Sequence, residues 1–185
     1  TCICYFGGDP APQAPHALAA SRMAVSRRRG VLRICWETNG QWNPRLLRAA
    51  ARLSLETGGI VKFDLKAWSP GIYQALTGVP LGRLYENARI VAEMAQERPE
   101  VPLFTASTLL VPGYVDEEEV RMIARFLASI DPSIPYTLLA FHPDYAMYDL
   151  PPTSRRHAEG ALRAAREEGL EKVSVGNAWL LSDYY

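Results

Sequence analysis

Short apolar runs alternate along the chain with longer stretches in which apolar residues recur every three or four positions. The runs cover residues 1–6, 31–36, 59–65, 102–111, 136–142 and 172–179. They are rich in β-branched and aromatic residues and are flanked by turn formers, which predicts six strands. Their near-continuous apolar character predicts coverage on both faces, as in parallel sheets. The intervening pattern predicts helices over 17–29, 45–57, 79–97, 120–129 and 154–168. Asn43-Pro44 reads as a cap followed by Pro at the first helical position, and Gly58-Gly59 as the stop. The carboxylates of Asp116-Glu117-Glu118-Glu119 suit a first helical turn. Strict alternation of strand and helix predicts an α/β fold with right-handed crossovers. The expectation is one incomplete (β/α) barrel domain over 1–185, with about six parallel strands. A whole eight-stranded barrel needs about 250 residues.

Charge narrows the function classes. Lys+Arg and Asp+Glu are both 20, which disfavours a general binder of nucleic acid or anionic membranes. Arg27-Arg28-Arg29 is the one dense basic run and reads as a helix end. No apolar run approaches the roughly 20 residues that span a bilayer. Cys2, Cys4 and Cys35 are an odd set, which favours a reducing compartment and predicts a cytoplasmic protein. The chain starts within an apolar run at Thr1, so further residues are expected upstream in the parent protein.

In parallel α/β folds ligands bind where strands end, and each run here delivers Gly or polar residues there. The first leads into Gly7-Gly8-Asp9-Pro10, the second into Glu37-Thr38-Asn39-Gly40, and the third holds Asp64-Leu65-Lys66. The fourth leads into Pro112-Gly113, the fifth ends at Phe141-His142, and the sixth carries Gly176-Asn177. Gly7-Gly8 lets the backbone approach a ligand closely, and Asp9 sets a carboxylate suited to an ammonium group beside it. Asp64 and Lys66 are two apart on the third run, so on an extended strand they face the same side. They read either as an internal salt bridge or as a clamp for a zwitterion or ribose. Cys2 and Cys4 share a strand face and, with Cys35, read as small buried apolar residues. His142, at a strand end, is a better ligand candidate than His16 or His157.

Several of these segments, in order, resemble the radical S-adenosylmethionine superfamily, and within it the pyruvate formate-lyase-activating enzymes. Cys4-Tyr5-Phe6-Gly7-Gly8-Asp9-Pro10 resembles the superfamily's Gly-Gly-Glu-Pro motif, and Glu37-Thr38-Asn39-Gly40 the Asp-Thr-Asn-Gly segment of the activating enzymes. Asp64-Leu65-Lys66, Leu76-Thr77-Gly78, Val111-Pro112-Gly113 with Asp116, and Leu139-Ala140-Phe141-His142 resemble the segments that follow. The tail through Met147-Tyr148-Asp149-Leu150-Pro151 is more like an uncharacterised branch of the superfamily. The resemblance implies cofactor-binding roles. Gly7, Gly8 and Asp9 would hold the methionine amino group, with Asn39 nearby. Asp64 and Lys66 would bind the ribose or methionine carboxylate region, and His142 would lie against adenine. Glu37, Thr38 and Asp64 would form a monovalent-cation site.

The resemblance further implies S-adenosylmethionine as cofactor, with a [4Fe–4S] cluster in the full-length parent. It implies one-electron cleavage of that cofactor, then hydrogen abstraction from a glycyl-radical-type protein or a small molecule, with flavodoxin or ferredoxin as electron donor. The family's first strand and Cys-x-x-x-Cys-x-x-Cys loop are missing from these residues, and Cys2 and Cys4 do not replace them. The chain alone is therefore expected to be inactive in the family's oxidoreductase chemistry. Two rival readings are a Schiff-base aldolase-like barrel with Lys66 as nucleophile and an inactive scaffold domain.

Overall fold

The computed structural model describes residues 1–183. Its strands are β1 (Cys2–Tyr5), β2 (Arg33–Thr38), β3 (Val61–Asp64), β4 (Phe104–Leu110), β5 (Tyr136–Ala140) and β6 (Val173–Gly176). Its helices are α1 (Ala14–Arg27), α2 (Pro44–Thr57), α3 (Pro70–Thr77), α4 (Leu84–Ala95), α5 (Glu117–Ala128) and α6 (Arg155–Glu167). The six strands form one sheet in the order β1-β2-β3-β4-β5-β6. The β1–β2, β2–β3, β4–β5 and β5–β6 pairs are parallel. Among the described residues β1 and β6 do not pair, so the expected α/β fold is an open sheet, not a closed barrel.

One helix expectation is corrected and one helix was not expected. Residues 79–83 are not helical: Pro80 and a positive φ of 55° at Gly82 keep the chain irregular until α4 opens at Leu84. The pattern also passed over α3.

The chain packs as two compact units. The first comprises Thr1–Asp64 and Gly82–Thr105, the second Leu65–Leu81 and the residues from Ala106 onward. In the first, β2 fits under α2 through both polar and apolar contacts. Ser54 Oγ donates to Ile34 O at 2.6 Å, and Ile34 N–H donates to Thr57 Oγ1 at 3.1 Å. Trp36 is fully buried, donates to Ala50 O at 3.2 Å, and stacks on Tyr5 at a centroid distance of 4.5 Å. Arg98 closes the C-terminal end of α2 by donating to Ser54 O, Leu55 O and Gly59 O, which satisfies carbonyls a helix end leaves open. Burial shifts the Arg98 guanidinium downward.

In the second unit, Tyr136 OH donates to Thr108 Oγ1, which donates to Leu65 O. Burial pushes the Tyr136 phenol upward. The α5–α6 contact is close because Gly160 faces Glu117; a Cβ at Gly160 would collide with that carboxylate. Arg121 and Arg125 of α5 pair with Glu167 and Glu168 at the end of α6. Those two guanidiniums hold the Glu168 carboxyl below the usual carboxylate range.

Candidate functional site

In the first unit the polar residues at the ends of β1 and β2 are tied together by one carboxylate. Asp9 Oδ1 accepts from Ala11 N at 2.8 Å, while Oδ2 accepts from Thr38 Oγ1 at 2.8 Å and Asn39 N at 2.6 Å. Asp9 is thus both a local cap and the link between two strand ends. Thr38, 3% exposed, is fully engaged: its hydroxyl donates to Asp9 and accepts from Gly40 N at 3.0 Å and Trp42 Nε1 at 2.6 Å. A hydroxyl offers one hydrogen and two lone pairs, and here all three are used within the first unit.

Gly40 turns the chain at φ 77°, and Asn87 of α4 secures the turn by donating to Gly40 O at 2.7 Å and Trp42 O at 3.0 Å. Asn39 Oδ1 accepts from Gln41 N at 2.9 Å. Gly7 and Gly8 have φ of 80° and 120°, and a Cβ at either would meet nothing within 4 Å. The loop backbone is therefore open to a ligand, and side-chain-bearing residues rarely adopt these angles.

One face of β1–β3 carries Cys2 and Cys4, Cys35 and Glu37, and Lys62. Lys62 Nζ donates to Glu37 Oε2 at 3.1 Å, and Cys4 Sγ lies 3.9 Å from Glu37 Oε1. Cys2 and Cys4 are exposed and only Cys35 is buried, which corrects the expectation that all three are packing residues. Burial, with smaller effects from Glu37 and Cys2, raises the Cys4 thiol; burial pushes the Cys35 thiol up to about 11. Among the described residues no group of three or more His, Cys, Asp and Glu side chains could hold a metal ion.

In the second unit Lys66, Leu76, Thr77, Leu109, Val111, Phe141 and Met147 line a mostly apolar cavity of about 160 Å³. β3 ends at Asp64, which corrects the expectation that Asp64 and Lys66 share one strand face: Lys66 follows the strand and lines the cavity from a loop. His142 is exposed just past β5. Behind the wall, buried Thr153 donates to Leu110 O and accepts from Phe141 N, both at 2.7 Å. Glu119, also buried, accepts from Trp68 N at 2.7 Å, Ser69 N at 3.0 Å and the Ser69 hydroxyl. Glu119 thereby caps α3, from which Leu76 and Thr77 reach the cavity. The sequence reading missed Thr153, Glu119 and Asn87, whose partners lie far away in the chain.

No family model matches the chain. It is 38% identical over 138 residues to the isethionate sulfite-lyase activating enzyme of Desulfovibrio desulfuricans, a match covering 74% of this chain and 40% of that protein. It is 37% identical over 73 residues to an uncharacterised protein of Methanocaldococcus jannaschii, covering 38% of this chain and 22% of that one. The chain thus spans well under half the length of these relatives. Its fold matches a crystal structure of a domain of pyruvate-formate lyase-activating enzyme from Bacteroides vulgatus with a TM-score of 0.75 and 20% identity, over 95% of this chain and 98% of that one.

Proposed function

We propose that the chain is the S-adenosylmethionine-binding part of an iron–sulfur oxidoreductase of the activating-enzyme type, a reading supported by its similarity to the isethionate sulfite-lyase activating enzyme. One observation carries this reading. Lys66, Leu76, Thr77, Val111 and Phe141 come from four separate segments of the motif series, and all line one cavity. Its apolar wall suits a planar purine, and the Lys66 ammonium suits the polar part of a nucleoside.

The first unit's residues take the roles the resemblance implies. Gly7 and Gly8 offer open backbone. A carboxylate accepts about four hydrogen bonds and Asp9 accepts three, which leaves room for an ammonium. Asn39 stands beside it, and Asp64 serves the ribose or carboxylate end. In the second unit His142 serves adenine. S-adenosylmethionine, when bound, supplies a sulfonium whose carbon–sulfur bond is broken by one electron. The described residues do not fit an iron–sulfur cluster, having no thiolate trio spaced to hold one, and the cluster is assigned to the parent protein. The chain's own work is binding, orientation and exclusion of water. A glycyl-radical-type protein or a small molecule would be the parent's substrate, with flavodoxin or ferredoxin as donor.

Calorimetric titration of S-adenosylmethionine into the chain tests this. Lys66→Ala and Asp64→Asn should each weaken binding roughly tenfold or more, the worth of a charge-assisted hydrogen bond. Cys2→Ala and Cys4→Ala should leave it unchanged. Absence of binding, or loss confined to the cysteine variants, overturns the reading. The apolar setting of Lys66 also favours a second reading, a Schiff base with a carbonyl substrate. Borohydride trapping of a carbonyl compound on Lys66 would establish it.

A further inference from the structure

The cofactor-binding roles given above do not include the thiols on the β1–β2 face. β1 and β2 run parallel with Cys4 opposite Cys35, and Cys2 shares the face of Cys4 because strand side chains repeat every second residue. The side chains do not pair in register. Cys2 Sγ approaches Cys35 Sγ at 3.2 Å, whereas Cys4 Sγ turns towards Glu37 Oε1 at 3.9 Å. A disulfide bond is about 2.05 Å long, so the two sulfurs must come about 1 Å closer, and because Cys2 stands opposite Arg33, two residues before Cys35, the strand backbones move with them. Exposure divides the labour: Cys2 is open to solvent and Cys35 is buried. A reagent therefore meets Cys2 first and finds Cys35 directly behind it.

We propose that Cys2 and Cys35 are a thiol–disulfide exchange couple, with Cys4 as a bystander, whose oxidant is a small disulfide of the glutathione type. The Cys2 thiolate attacks one sulfur of glutathione disulfide and expels one glutathione thiolate, giving a mixed disulfide. The Cys35 sulfur then attacks Cys2 Sγ, forms the protein disulfide and expels the second glutathione. Two electrons pass from the protein thiols to the glutathione pair, and the two thiol protons end on the released glutathiones. The product joins β1 to β2 covalently.

The experiment uses Cys4→Ser and Cys2→Ser variants of the chain, folded and without other ligands, in excess glutathione disulfide. Free thiols are counted with a chromogenic disulfide, and cross-linked peptides are mapped by mass spectrometry. Cys4→Ser should go from two free thiols to none and yield a Cys2–Cys35 cross-linked peptide. Cys2→Ser should yield no cross-link between Cys4 and Cys35. A Cys4→Ser protein that keeps its thiols, or stops at glutathione on Cys2 without cross-linking, overturns the proposal. So does efficient Cys4–Cys35 bonding in Cys2→Ser. Each outcome is independent of S-adenosylmethionine binding.

Discussion

Thr38 donates its hydroxyl hydrogen to Asp9 across 29 residues of chain, at 2.8 Å, and the same carboxylate oxygen takes the Asn39 N–H at 2.6 Å. The end of β2 is therefore held to the loop after β1 by a single charged group. Asp9→Asn offers one oxygen where two were used and sets an amide N–H₂ against a donor. It should destabilise the chain by about 1–3 kcal/mol, the cost of a donor left unpaired on partial burial. Urea denaturation of the two proteins measures this, and an unchanged midpoint would mean that water replaces the carboxylate.

Gly40 follows directly. Its φ of 77° disfavours any side chain, and a Cβ there would lie 2.5 Å from Leu84 Cδ1 and 2.8 Å from Phe63 Cε1. Gly40→Ala should therefore cost about 1–3 kcal/mol through overpacking, with backbone strain on top. Gly7→Ala meets no atom within 4 Å and carries the backbone strain without the collision, so it should be the milder change. Parallel thermal melts of the two variants separate the contributions.

For α3 the decisive residue is Glu119. Glu119→Ala leaves Trp68 N, Ser69 N and the Ser69 hydroxyl without their acceptor, and should cost about 1–3 kcal/mol. Glu119→Gln should be milder, because its oxygen can take the two N–H groups while the Ser69 hydroxyl rotates to accept from the new amide. Amide hydrogen exchange over Pro70–Thr77 should rise more in Ala than in Gln. Equal rates in the two variants would remove Glu119 as the cap.

The Cys35 thiol gives the stability an alkaline limb. Its folded value of about 11 lies above its ordinary 9.0, chiefly through burial. A raised group contributes stability that is complete below the unfolded value and is lost as pH rises through the folded one. Stability should therefore fall between pH 9 and about 11, and more steeply in the parent chain than in Cys35→Ala. Tyr136, raised for the same reason, is common to both proteins and cancels in the comparison. Urea midpoints across that range provide the test, and superimposable slopes would count against it.

The strands and most helices were legible because local chemistry specifies them. Asn43-Pro44 opens α2, with Asn43 Oδ1 accepting from Arg45 N at 2.9 Å, and Gly58 stops it in the left-handed conformation. Asp116 caps α5 in the expected way. α3 escaped notice because Ser69 makes no local side-chain cap; its acceptor is Glu119, 50 residues on. β1 was read as covered on both faces, yet Cys2 and Cys4 are exposed on one of them, because composition does not say which face of a strand stays open. Of the cavity wall, sequence named Lys66 as a candidate, whereas Leu76, Thr77, Val111 and Phe141 entered only as parts of motif segments. Asp9 could be read only as a cap or a ligand, because its bond to Thr38 depends on the register of two strands.

The division into two units has a consequence for how the gene can be cut. The backbone crosses from one unit to the other between Asp64 and Leu65, between Leu81 and Gly82, and between Thr105 and Ala106. Each unit is stitched from two separated pieces of chain. No single truncation releases either one whole, and a fragment ending at Asp64 would lack α4 and the Asn87 side chain that secures the Gly40 turn.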